Sequence, residues 1–248
     1  MDVTRIYNAI QSRGKRNTLK IVNRLYNGSY EGGKIFCIGL HKTGTSTLAH
    51  FVECFGLKVT HSVDWIDNPS KISKYDFFSD GGSHFDGMNE IDYKWLFYEY
   101  PDALFILQTR DTRKWLMSKL RHAGWNEETC PEPDDIAKIS QENWRGKTLL
   151  HIQKYVEHKS NYERSIREFF EENGKDRLYE IDITDKMKQE KYLKGLKSFL
   201  NLRSVVPVEL PHSNRLRNSF KLPPEVSDFI EKLFDEDITE SSAKNQAS

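Results

Sequence analysis

An α/β fold is predicted, a three-layer sandwich with a central, mainly parallel sheet and a P-loop-like phosphate-binding loop. Three observations carry this expectation. Short apolar runs at 34–38, 103–107 and 178–183 read as strands, and the second is continuous enough to be a central strand buried on both faces. Stretches of helical spacing alternate with these runs, which is the order of an open α/β sheet rather than of a bundle or a sandwich of sheets. The first run also passes through Gly39 and Gly44 directly into an amphipathic helix.

The elements follow in order. Residues 1–32 carry Arg5, Arg13, Lys15, Arg16, Lys20 and Arg24 with Ile6, Ile10, Ile21, Leu25 and Tyr26 between them, and predict one or two basic helices ahead of the domain. A solvated helix packed by one edge is preferred there to a partner- or membrane-binding role. After strand 34–38, Leu48, Phe51, Val52 and Phe55 share one helix face, which Gly56 ends. Strand 57–60 follows, then a polar segment, 62–90, read as a loop. A helix at 93–100 precedes strand 103–107, and Asp111 or Thr112 caps a helix running to Leu120. Residues 121–143, with Pro131, Pro133 and many carboxylates, read as an insertion or lid. Helical spacing resumes at 144–170, and Leu193, Leu196 and Leu200 mark a helix after strand 178–183. The division expected is a basic extension at 1–32, an α/β domain at 33–217, and a C-terminal helix with a disordered tail at 218–248.

Composition narrows the function. The 248 residues hold 37 acidic and 37 basic side chains, so a general nucleic-acid binder is excluded in favour of, at most, a local basic patch. Cys37, Cys54 and Cys130 are odd in number and widely spaced, which suits reduced thiols in the cytoplasm and offers neither a disulfide framework nor a zinc site. No apolar run reaches the ~20 residues of a membrane span, and no signal-peptide core opens the chain. No metal is expected, and homodimerisation is left open.

The loop at 39–48 reads Gly-Leu-His-Lys-Thr-Gly-Thr-Ser-Thr-Leu. Its glycines allow tight turning, its entry into a helix leaves backbone N–H groups aimed at one point, and the helix dipole favours an anion there. Lys42 adds charge, and Thr43, Thr45, Ser46 and Thr47 add hydroxyl donors. Gly39 and Gly44 have the glycine spacing of a nucleoside-triphosphate P-loop, but the lysine stands before the second glycine instead of after it. Arg110 and Ser118 are eight residues apart across the next strand-to-helix junction, where an arginine fork suits a phosphate monoester.

The loop resembles the 5′-phosphosulfate-binding loop of sulfotransferases that use 3′-phosphoadenosine 5′-phosphosulfate (PAPS), and Arg110-x7-Ser118 resembles their 3′-phosphate site. Residues 178–185, and Glu209-Leu-Pro-His-Ser-Asn214, are similar to the closing segments of soluble members. The family's Arg-Lys-Gly segment is absent, so Arg215 or Arg217 is the substitute there. The resemblance implies PAPS as co-substrate, adenosine 3′,5′-bisphosphate (PAP) as product, and sulfuryl transfer to a hydroxyl or amine of a small-molecule acceptor. Lys42 and the residues Thr43, Gly44, Thr45, Ser46 and Thr47 would hold the 5′ end.

The acceptor must lose a proton, and Asp80, His84 and Asp86 are the candidates for taking it, with Asp80 preferred to His84. Each is equally well read as a turn residue bonded to its own backbone. His41 reads as a structural contact, while His61 and His122 are candidates for the acceptor pocket. Of the aromatics Trp65, Phe77, Phe78, Phe85, Trp95, Trp115 and Trp125, most are expected in the core and some are candidates for an acceptor or adenine pocket. The alternatives are a P-loop kinase and a nucleotide-binding protein without enzymatic activity on the same fold.

Overall fold

A computed structural model describes residues 3–66, 68–81, 91–122, 144–204, 207–210, 221–222 and 224–245. Five parallel strands form one sheet in the order β2-β3-β1-β4-β5: β1 Ile35–Cys37, β2 Val59–His61, β3 Phe77–Ser79, β4 Leu104–Gln108 and β5 Leu178–Ile181. The helices are α1 Val3–Asn27, α2 Thr45–Glu53, α3 Pro69–Ile72, α4 Tyr93–Glu99, α5 Thr112–His122, α6 Trp144–Asn173, α7 Gln189–Phe199 and α8 Pro224–Asn245. The α/β class expected from the sequence is the class observed, with every strand pair parallel.

One expectation changes. Residues 62–90 do not form only a loop, because β3 lies inside that segment and pairs with β1 and β2, Ile35 opposite Phe77 and Val59 opposite the same residue. Only three residues long and bracketed by Asp76 and Asp80, it is too short for a periodic signal. Burial supplies what periodicity could not, since Phe77, Phe78 and Ser79 are fully enclosed.

Alternation along the strands sorts the core onto two faces. Ile35, Cys37, Phe77, Ile106 and Ile181 meet Leu48, Phe51, Val52 and Phe55 of α2 and the segment after it, and Leu196 and Leu200 at the end of α7. On the other face Phe36, Phe78 and Phe105 stack with Trp65, Tyr100, Phe97 and Phe170. Arg177 closes this side by donating to the carbonyls of Ala103, Phe97 and Tyr100, its guanidinium 3.8 Å above the Phe97 ring. The second half of α1 is tied to α2: Lys20 and Arg16 pair with Glu53, and Asn23 donates to the Cys54 carbonyl at 2.8 Å. Gly14, at φ 74° and ψ 160°, interrupts α1, in keeping with two basic helices.

The chain forms two compact units. The first comprises Met1–His84, Met88–Arg110 and Glu163–Arg215 and contains the whole sheet. The second comprises Phe85–Gly87, Asp111–Tyr162 and Leu216–Ser248. Within it Trp115, Leu116 and Leu120 of α5 are buried, Lys119 and Lys159 lie near the Trp115 ring, and Arg113 pairs with Glu231 of α8.

Candidate functional site

All five strands run the same way, so their carboxyl ends share one edge. The chain leaves β1 toward β2 and β3 on one side, then crosses to β4 and β5 on the other, and in open α/β sheets ligands bind outside the carboxyl ends at a reversal of that kind, here beside β1. In sheet order the edge carries His61 at the end of β2, Asp80 after β3, Lys42 in the loop after β1 and Arg110 after β4. Each is in the first unit.

The loop after β1 owes its course to its two glycines. A Cβ on Gly39 would enter the backbone of Gln108 on β4, and the Gly39 N–H donates to the Gln108 side-chain oxygen at 2.8 Å. Gly44 has φ +96°, and a Cβ there would strike a methyl of Ile183. Gly44 is the N-cap of α2, and no side chain bonds to the cap, so the first-turn N–H groups face the edge without a side-chain acceptor at that position. Lys42 itself has φ 67°, a left-handed conformation uncommon outside glycine. Its carbonyl accepts from Arg110 Nη1 at 2.8 Å, which joins two basic residues 68 positions apart.

The hydroxyls of the loop divide by partner. Thr43 is fully buried and donates to the Leu40 carbonyl at 2.5 Å, a bond that closes the loop on itself. Thr45 donates to Asp80 Oδ1 at 3.2 Å, and Ser46 Oγ lies 2.8 Å from His61 Nε2. Thr47 is half-buried on the first turn of α2.

Asp80 gathers this side of the edge. His41 Nδ1 lies 2.9 Å from its Oδ1, and His61 Nε2 lies 3.9 Å from its Oδ2. Burial pushes its carboxyl up, but the hydrogen bond and charge of His41, the charge of His61 and the Thr45 hydroxyl outweigh that and bring it to about 2. Lys42 is lowered by burial, partly offset by the Asp80 carboxylate. His61 is lowered by burial, against the pull of Asp80 and with the push of His41 and Lys42.

Lys42, Thr45, Ser46, Asp80 and Arg110 thus converge on one edge. Ser118 is half-buried on α5 in the second unit, and His122 ends that helix. His84, Asp86, Arg215 and Arg217 lie outside the described residues. His41 and His61 have a larger part in the edge than their sequence context suggested. The signal that finds His61 is positional: the strand read at 57–60 ends one residue short of it, and the last residue of a parallel strand meets the carboxyl edge.

Among the described residues no group of His, Cys, Asp or Glu is spaced to hold a metal ion, and no helix is long and apolar enough to cross a membrane. The five-stranded parallel sheet flanked by helices defines an α/β protein. A family model described as a sulfotransferase domain matches residues 34–218, and the chain belongs to that family. No curated protein matches it.

Proposed function

We propose that this protein transfers a sulfuryl group from PAPS to a hydroxyl or amine of a small-molecule acceptor, releasing PAP. The observation that carries the reading is the edge itself, where Lys42 at the mouth of an uncapped helix is joined to Arg110 and stands beside the Asp80 carboxylate. The residues fit the donor: Gly44 lets the loop turn tightly against Ile183 into the start of α2, and backbone donors with one lysine suit the 5′ end. Lys42, Gly44, Thr45, Ser46 and Thr47 would hold that end, with Thr43 contributing through its backbone. Arg110 would hold the 3′-phosphate, and Ser118 joins it on the strength of the sequence pattern.

When bound, the donor supplies an electrophilic sulfur with a phosphate as leaving group. Lys42 neutralises charge growing on the leaving oxygen, a role in which a preorganised cation lowers the barrier without reorganisation. Asp80 takes the acceptor's proton. A carboxylate near 2 is a weak base toward a free alcohol, but in a loose transition state the acceptor oxygen becomes acidic late, as its bond to sulfur forms, and a weak base then suffices.

Two measurements test the reading. Incubation with labelled PAPS and a panel of phenols, alcohols, amines and sugars is expected to give a sulfated product. In thermal unfolding PAP is expected to stabilise the protein while ATP with magnesium does little, and Lys42→Ala and Arg110→Ala are expected to remove the PAP effect. Magnesium-dependent ATP turnover would instead identify a kinase. Tight PAP binding with no transfer to any acceptor would identify a nucleotide-binding protein without catalysis.

A further inference from the structure

His61 is not among the residues assigned to the donor, yet its ring touches one that is. Ser79 Oγ lies 3.2 Å from the Thr45 carbonyl, which can only accept, and with its proton donated there its oxygen accepts from His61 Nδ1 at 3.1 Å. The proton of the neutral ring is therefore on Nδ1. Nε2 is left with its lone pair, and it accepts the Ser46 hydroxyl proton at 2.8 Å. In this state Ser46 points its donor at the imidazole.

Protonation of Nε2 reverses that bond. An imidazolium cannot accept, so Nε2–H donates to Ser46 Oγ or turns to the Asp80 carboxylate, whose Oδ2 is already 3.9 Å away. The Ser46 proton is then released toward the mouth of α2, and a positive charge has been added beside it. Both changes favour an anion at that point.

We propose that His61 is a positioning residue for Ser46, and that its protonation tightens binding of the donor's anionic 5′ end. The proposal rests on the reading of the edge as a PAPS site. The charged and titratable groups facing the ring are Asp80 after β3, His41 and Lys42 from the loop after β1, and His50 from α2. Asp80 remains a carboxylate through the range in which an imidazole titrates, so it supports the charged ring throughout. Burial holds the ring neutral near pH 7, which places the change on the acid side. By reciprocity a bound anion raises the fraction of His61 that is protonated.

The test is the pH dependence of PAP affinity from pH 8 to 5.5 by calorimetry, in the wild-type protein, His61→Gln and Ser46→Ala. The 5′-phosphate of PAP gains a proton in this range, and that loss of charge is common to all three proteins. Relative to His61→Gln, wild-type affinity is expected to gain about fivefold to tenfold on acidification, and Ser46→Ala to keep only part of that gain. Inorganic sulfate, whose charge is constant over the range, is expected to show the same difference. Parallel profiles in wild type and His61→Gln overturn the proposal and leave the PAPS reading standing, whereas absence of PAP binding at every pH removes both. Nitrogen NMR of the wild-type imidazole is a second check that needs no variant. A ring protonated on Nδ1 at pH 8 supports the proposal, and one protonated on Nε2 overturns it.

Discussion

Asp80 shows how a residue's role depends on its neighbours more than on its type. A lone aspartate in a turn is an ordinary acid, but here two imidazoles and a hydroxyl hold it ionised against the cost of burial. Its folded value is depressed, so its contribution to stability is present above the ordinary carboxylate range and is lost as pH falls from about 4 toward about 2. Asp80→Asn is expected to cost about 1–2 kcal/mol in urea unfolding at pH 7, with that difference roughly halved at pH 3. The same carboxylate predicts the rate profile. With PAPS saturating, kcat is expected to stay level from pH 8 to 5 and to fall about 10²-fold or more in Asp80→Asn. A kcat that declines below about 6.5 would move the base to a histidine.

At the scale of elements, the loop after β1 was legible because its chemistry is local. A strand, two glycines, a lysine and a helix are contiguous, and the collisions at Gly39 and Gly44 are the structural counterpart of that spacing. The partners of the loop were less legible. β3 has three residues and no periodicity, and its value lies in delivering Asp80 between His41 and His61, a relation that only strand order creates. The Arg110 bond to the Lys42 carbonyl also follows from β1 and β4 being neighbours, which no short-range pattern encodes. The turn into α2 gives a test at this scale. Gly28 and Gly44 both have positive φ, but a Cβ on Gly28 meets nothing within 4 Å, whereas one on Gly44 meets Ile183. Gly28→Ala is expected to cost about 1 kcal/mol from backbone strain alone, and Gly44→Ala about 2–4 kcal/mol because the collision is added. Equal losses in denaturant titration would show that the Ile183 contact yields freely.

For the whole molecule the balance of 37 acidic and 37 basic residues decides how an anion is captured. A chain with no net charge has no strong general field to draw in a polyanion, so attraction must come from the few groups at the carboxyl edge. The basic α1 does not change this, since Arg16 and Lys20 both pair with Glu53 of α2 and that part of the helix serves to pack one element on another. Substitutions therefore separate by position and not by charge. Lys42→Ala and Arg110→Ala are each expected to weaken PAP binding by about 10²-fold or more, because each removes a charged partner of a phosphate. Lys20→Gln removes the same unit of charge and is expected to change affinity by less than about twofold at physiological salt, where distant charges are screened. Ligand-linked stability follows the same division. PAP at about 100 times its Kd contributes about 2.7 kcal/mol, read as a rise of roughly 5–11 °C in unfolding temperature for a chain of this size. That rise should persist in Lys20→Gln and vanish in Lys42→Ala. Comparable loss in all three variants would mean that the protein holds the nucleotide by its overall field, and the carboxyl edge would lose its place as the site.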